Sequence, residues 1–311
     1  MRSRDASTPR TPSRRSKRFR ETSLAYVMLA PSLVIFAIFV FYPFIKNFTF
    51  PFYQTSTAGG FGAFANESKP KWVGWEQWGA VLGSRDFWHS VWVTVQFVGL
   101  TVPLGIALGL LLAVIAHQKL AGITFYRTIF SSTVASSAAV ASTIFFSLVG
   151  THTGLWTLQI NGHGILDDKT WALPAIAGVS IWQSLGLAFI VMSSGLQAIP
   201  DDLLEAARVD GASASRRFLR VTLPLLSPTV FFAFVVGSIS AFKTFAEIDL
   251  LNPIGKETGG TSLLAYQVKR LAFDSDSRTG QAAVFAVGLF AIVLMLTLIQ
   301  MRLERRVHYA R

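Results

Sequence analysis

Six apolar runs, each long enough to cross a lipid bilayer as a helix, set the first limit on how this chain can fold. They lie at roughly Leu24–Ile45, Val91–Ala116, Thr124–Val149, Trp171–Leu196, Leu223–Ala246 and Gln281–Gln300. A helix of ~20 apolar residues spans the hydrocarbon core of a membrane. Each run is continuous, whereas a membrane barrel strand alternates apolar and polar residues, so the runs predict helices. Composition agrees: the 311 residues are 51% hydrophobic and only 14% charged, with a mean hydropathy of +0.47. A soluble domain of this size carries more charge. The expected fold class is an all-α integral membrane protein with six transmembrane helices. The first run is too long, and too lightly flanked by small residues, to be a cleaved signal peptide.

The formal charge of +11 could suggest a nucleic-acid partner, but its distribution argues against one. Eight basic residues (Arg2, Arg4, Arg10, Arg14, Arg15, Lys17, Arg18 and Arg20) crowd the segment before the first run. Cytoplasmic flanks of membrane helices retain such charge, and this sets their orientation. With that end inside, six spans place the turn near Lys119, the loop 198–222 and the carboxyl end inside as well. Inner segments then hold 17 Lys and Arg against nine in outer segments. The chain divides into a basic tail 1–23, rich in Ser, Thr and Pro and expected to be disordered; a first span 24–45; an outer loop 46–90; a core 91–303; and a cytoplasmic tail 304–311. No nucleic-acid partner is expected; membrane lipid is.

The outer loop carries Trp72, Trp75, Trp78 and Trp88, and Trp156 and Trp171 lie near the same predicted boundary. An interfacial aromatic belt with local packing explains them, with contact to an external partner as the alternative. Gly105 and Gly109 form a small-xxx-small pattern that lets helices approach closely. The third run is rich in serine and alanine, and Ser136 and Ser137 are candidates for a polar path as well as for helix packing.

The fifth run ends in charge, with Lys243, Glu247 and Asp249. A lysine well inside a bilayer costs roughly 2.5–3.5 kcal/mol. Near the outer end Lys243 can snorkel. Glu247, four residues on, shares its helical face and could pair with it. A structural pair and contact with a polar or anionic solute are the two readings. There are no cysteines, so disulfides, zinc-thiolate sites and iron–sulfur clusters are excluded, and no two of the five histidines have helical metal spacing. No cofactor or metal is expected on this chain.

One polar segment is too long for a simple turn. Residues 199–228 read IPDDLLEAARVDGASASRRFLRVTLPLLSP. Pro200 suits a first helical turn, and Asp201, Asp202 and Glu205 suit the positive end of a helix dipole. Ala206 and Ala207 favour helix. Gly211 can stop the helix in the left-handed conformation, and Ser213 or Ser215 can cap a second helix carrying Arg216, Arg217 and Arg220. Local physics alone predicts two short helices joined at a glycine. Without a partner, their arginines would rest against lipid phosphates.

The spacing resembles a known element. Glu205-Ala206-Ala207, three residues, Gly211, nine residues, Val221, one residue and Leu223-Pro224 resemble the EAA loop of ABC importer permeases, which precedes the penultimate span; the resemblance implies that Asp210 and Arg216 share its coupling role. The resemblance implies that this loop forms cytoplasmic coupling helices that dock into a cleft on an ATPase. It implies a second homologous permease, two ATPase copies and an extracytoplasmic solute-binding protein as partners, in a bacterial plasma membrane with both termini cytoplasmic. ATP and Mg2+ would be used by the ATPase. The six spans and extended outer loop look like the carbohydrate-uptake permeases related to the maltose system. The stretches AFKTFAEIDLL, TGGTSLLAYQVKRLAF and ERRVHYAR look most like the first permease of glycerol-3-phosphate and glycerophosphodiester importers. Sugar permeases of this family often carry Gly-Gly-Pro after the fifth span; here Gly259-Gly260 is followed by Thr261, which leaves the solute open.

Other functions fit less well. The nearest approach to a Walker A loop, HGILDDKT at 163–170, has His163 and Asp168 where both glycines belong. The chain is therefore not expected to be an enzyme. An ion-coupled secondary transporter or channel would need an intramembrane carboxylate or broken helix, and the first four runs hold no Asp or Glu. A membrane-embedded enzyme would need a clustered constellation, yet His89 and His117 flank opposite ends of one run.

Overall fold

The computed structural model describes residues 14–54, 57–58, 66–67, 71–118, 122–150, 159–160, 163–168, 170–251, 260–274 and 278–304. The expectations placed on Arg2, Arg4, Arg10, Lys119, Trp156, Gly259 and the tail 305–311 lie outside these residues. Two compact units divide at Phe50.

The first unit is one long helical rod. α1 (Arg14–Phe36) runs through a π-turn (Ala37–Phe41) into α2 (Tyr42–Thr49). Helix begins nine residues before the expected limit of the basic tail. Residues 14–22, RRSKRFRET, lack both glycine and proline and are dominated by good helix formers. From Leu24 to Lys46 the side chains are exposed, an apolar surface suited to lipid.

The second unit opens with an antiparallel ribbon in which β1 (Tyr53–Gln54) pairs with β4 (Lys71–Trp72), and β2 (Thr57–Ala58) with β3 (Asn66–Glu67). Here Phe52 stacks on Trp72 (5.4 Å, 11°) and meets Trp75 edge-on. Trp78, on the short helix α3 (Glu76–Leu82), packs against the buried cluster that holds Val81, Phe87 and Phe285.

Next comes α4 (Arg85–Ala116), capped by Ser84, whose Oγ accepts from Phe87 N. The third run is not one helix. α5 (Ile123–Ser132) and a 3-10 turn give way to α6 (Ala138–Val149) across a 105° bend. Ser136 and Ser137 are extended there, and Ser137 Oγ caps α6 by accepting from Val140 N. After the short β5–β6 pair (Gln159–Ile160 with His163–Gly164) runs α7 (Ala172–Gln197). α8 (Asp201–Val209), α9 (Ala214–Arg217), a π-turn and α10 (Leu223–Leu225) form the long polar loop. A 64° bend leads into α11 (Ser227–Phe242). The short α12 (Ala246–Leu251) and α13 (Leu264–Lys269) precede α14 (Thr279–Glu304). Among the described residues, four helices are long and apolar enough to cross a membrane, or up to six if each bent pair is one span.

α4 and α7 pack at the expected glycines. A Cβ on Gly109 would lie 2.5 Å from Ala188 Cβ, and one on Gly105 would lie 2.8 Å from Ser184 Oγ. At one end of this pair, Ala113, Ala116, Phe189, Met192, Leu196, Ile199 and Leu226 form a buried cluster next to the loop. Arg127 ties α5 to the same end, donating from Nε (3.1 Å) and Nη2 (2.7 Å) to Ala116 O at the close of α4. At the other end, Phe97, Ile176, Ala177, Ile248, Leu251 and Leu263 form a second cluster.

Candidate functional site

The loop between α7 and α11 is a folded object. α8 starts at Asp201, with Pro200 one position earlier than the first turn, as its N-cap. Asp201 and Asp202 face the positive end of the dipole. The helix closes with a Schellman pair: Gly211 N donates to Arg208 O (3.0 Å) and Ala212 N to Ala207 O (3.1 Å). Gly211 has φ +75°, and a Cβ there would meet nothing within 4 Å, so backbone conformation alone requires glycine. Ser213 Oγ accepts from Arg216 N (3.4 Å) at the start of α9.

Leu204 is turned inward against the buried cluster. Glu205, Ala206, Asp210, Gly211 and Arg216 are exposed, Ala207 is half-buried, and Val209, one turn beyond Glu205, is 88% exposed. Glu205 forms no ion pair among the described residues. Leu223 is half-buried and Pro224 exposed, just before fully buried Leu226. Behind the loop α7 and α11 nearly touch: a Cβ on Gly195 would lie 2.6 Å from Thr229 Oγ1 and 2.7 Å from Leu226 Cδ1. The loop thus sits on a rigid crossing of the two helices it joins.

Those helices, with α4 and the bent α5–α6 pair, enclose a cavity of about 480 Å³. This size suits a small solute. Ser136, Lys243 and Glu247 line it; Ser137 and Asp249 do not. Lys243 and Glu247 do not form the i,i+4 pair. α11 ends at Phe242, residues 243–245 leave the helix, and no ion pair joins the two among the described residues. Asp249 bonds instead to Lys269 Nζ on α13 (2.9 Å).

Glu247 is 5% exposed and needs partners at that burial. Gln183 of α7 supplies one. Its amide nitrogen faces Glu247 Oε1 (3.3 Å) and its oxygen accepts from Ala138 N (2.8 Å), a free donor at the start of α6. In the reverse orientation the nitrogen would donate to Ser136 O (3.3 Å) at the same break, and the oxygen would face Glu247. Gln183 therefore joins α6, α7 and α12 at the cavity wall. Sequence reasoning missed it, although it is the only amide in the run 171–196. Ser180 and Ser184 of α7 and Ser240 of α11 also line the cavity and were missed; isolated serines in apolar runs carry little signal.

A cavity with a few polar and charged groups in a largely apolar lining, among helices that can cross a membrane and tied to a folded loop at their end, fits a solute transporter, and comparison with known proteins narrows the class. The chain belongs to the family described as binding-protein-dependent transport system inner membrane component, matched over residues 105–309. It is a permease component of such a transport system. It is 34% identical over 302 residues to the sn-glycerol-3-phosphate transport system permease protein UgpA of Brucella abortus biovar 1 (strain 9-941), covering 94% of this chain and 98% of that one. To the trehalose/maltose transport system permease protein MalF of Thermococcus litoralis it is 32% identical over 298 residues, covering 93% and 96%. The fold is shared with a chain of a bacterial ABC transporter that imports the acidic polysaccharide alginate. The TM-score is 0.76 at 22% identity, over 96% of this chain and all of that one.

Proposed function

We propose that this chain is the permease subunit of a bacterial ATP-driven importer for a carbohydrate or a glycerol-3-phosphate-type solute. A soluble binding protein delivers the solute, and a second homologous permease and two copies of an ATPase complete the complex. The ATPase subunits, not this chain, use ATP and Mg2+. In this reading the loop 198–222 and both termini face the cytoplasm, and the cavity lies on the solute path. Glu205, Ala206, Ala207, Asp210, Gly211, Arg216, Leu223 and Pro224 form the ATPase-facing surface. Ser136, Lys243 and Glu247 face the solute; Ser137 and Asp249 serve the architecture beside it.

One observation supports this most: the exposed face of α8 is carried on the helices that wall the cavity, locked together at Gly195, Leu226 and Thr229. A push on α8 reaches the cavity through packed side chains. The UgpA and MalF likenesses support the solute range.

The test is Glu205→Lys in the assembled complex. Charge reversal on the exposed face leaves the chain in the membrane but lowers ATP-dependent uptake by at least about tenfold, equivalent to about 1.4 kcal/mol. Normal uptake with normal copurification of the ATPase refutes the docking role.

A further inference from the structure

We infer that the long polar loop serves two partners: α8 is left for the ATPase, while the helix that follows lies on the inner leaflet and binds anionic phospholipid through Arg217 and Arg220. The inference rests on the loop facing the cytoplasm, as proposed above, and adds the lipid to that reading.

Charge divides the loop. Residues 201–210 hold Asp201, Asp202, Glu205 and Asp210 against Arg208, a net −3. Residues 214–225 hold Arg216, Arg217 and Arg220 with no acid, a net +3. Neighbouring helices of opposite sign could neutralise each other, yet none of the three arginines forms an ion pair among the described residues. An anionic leaflet attracts the second helix and repels the first, which turns α8 away from the lipid. Arg216, nearest to Gly211, stays with the ATPase-facing surface.

Geometry brings the arginines to the headgroups. α9, the π-turn (Phe218–Thr222) and α10 run as one helix over Ala214–Leu225, inclined at 64° to α11. Arg220 and Arg217 stand seven and ten residues before Ser227, where α11 begins. At ~1.5 Å per residue they are about 10 and 15 Å from that point along their own helix. The inclination cuts this to about 5 and 7 Å along the α11 axis. With α11 along the bilayer normal and Ser227 at the hydrocarbon edge, both arginines fall in the headgroup layer, about 5–7 Å thick on each side. A straight continuation of α11 would carry them beyond it.

The surface fits that placement. Leu219, between the two arginines, is 60% exposed. An apolar residue flanked by arginines suits the boundary between headgroups and acyl chains. At the same end, Ile123 of α5 and Leu225 of α10 pack on one buried cluster. The first turn of α5 there exposes Phe125 and Tyr126, and aromatic rings favour the headgroup level. Each arginine at an anionic surface gains roughly fivefold in seated population, so two give about 25-fold.

The chain has no cysteine, so a single label can be placed at will. The assembled complex, with cysteines of the partner chains replaced by serine, carries a fluorophore on Leu219→Cys or, for comparison, on Arg208→Cys of α8. It is held in nanodiscs of phosphatidylcholine with or without phosphatidylglycerol, and part of the phosphatidylcholine bears a nitroxide headgroup as quencher. The expected result is strong quenching at residue 219 with phosphatidylglycerol present and little at residue 208. Most of the quenching at 219 is lost without phosphatidylglycerol, at high salt, and in Arg217→Gln/Arg220→Gln. Arg217→Lys/Arg220→Lys retains it, because the charge is kept. Quenching at 219 that ignores phosphatidylglycerol and both arginines overturns the recognition of anionic lipid. A label at 219 shielded from the nitroxide lipid and from aqueous iodide alike assigns this face to the ATPase and overturns the division of the loop. A label at 219 open to iodide but not to the lipid overturns the lipid contact outright. Failure of the underlying reading shows separately: no ATPase copurifies, or a membrane-impermeant maleimide reaches position 219 from outside intact cells.

Discussion

Replacing Gly211 by alanine isolates what the loop conformation contributes to coupling. At φ +75° an L-residue is strained by roughly 1–2 kcal/mol. No steric term adds to this, because an alanine Cβ would meet nothing within 4 Å. The loop could relieve the strain by leaving the left-handed region. It would then lose the Gly211–Arg208 and Ala212–Ala207 hydrogen bonds, each worth about 0.5–1.5 kcal/mol. The two routes are of similar size, so the docking-competent loop is destabilised by about 1–2 kcal/mol whichever is taken. That corresponds to a factor of about 5–30 in its population. Proteoliposomes of the assembled importer give the readout: ATP-dependent uptake falls within that range, while membrane insertion is unchanged because Gly211 touches no core residue. Gly211→Asn is the control, since asparagine tolerates the left-handed region; it retains most of the uptake. Wild-type uptake in Gly211→Ala refutes the need for this loop geometry. Equal losses in the alanine and asparagine variants refute the argument that glycine is present for its φ angle.

Two further predictions concern the end of the cavity away from the loop. Thr94 is fully buried, donates to Ser90 O (2.6 Å) and accepts from Leu264 N (3.0 Å), joining α4 to α13. Thr94→Val strands that buried N–H and lowers stability by about 1–3 kcal/mol, read as a lower Tm in detergent that Thr94→Ser restores; an unchanged Tm in the valine variant refutes the bridge. The Asp249–Lys269 pair is about one-third exposed, so a double-mutant cycle of Asp249→Asn and Lys269→Gln is expected to give a coupling of only about 0.2–1 kcal/mol, weakened by salt. Zero coupling at low salt shows that the contact contributes nothing to holding α12 against α13.

What could be read from the sequence, and what could not, divides by the reach of the interactions involved. The apolar runs were legible because membrane thickness fixes their length, and α8, Gly211 and the Ser213 cap were legible because every contact that shapes them lies within a few residues. The bend in the third run was not. Ser136 and Ser137 fit a helix or a break equally well, and the break is held by Gln183 bonding Ala138 N from another helix. The Lys243–Glu247 pairing failed for the same reason. The stretch SAFKTFAEIDLL contains no glycine or proline to announce that α11 ends at Phe242. The chain leaves the helix because α12 gains more by burying Ile248 and Leu251 against Phe97 and Ile176 than a continued helix would gain by exposing them. Asp249 then faces Lys269 rather than any neighbour in sequence. Gln183 marks the boundary between the two kinds of information. A lone amide in an apolar run is costly unless bonded, so the sequence signals that residue 183 has partners. Only the assembled fold shows that they are a helix terminus and a buried carboxylate, brought together at the cavity wall.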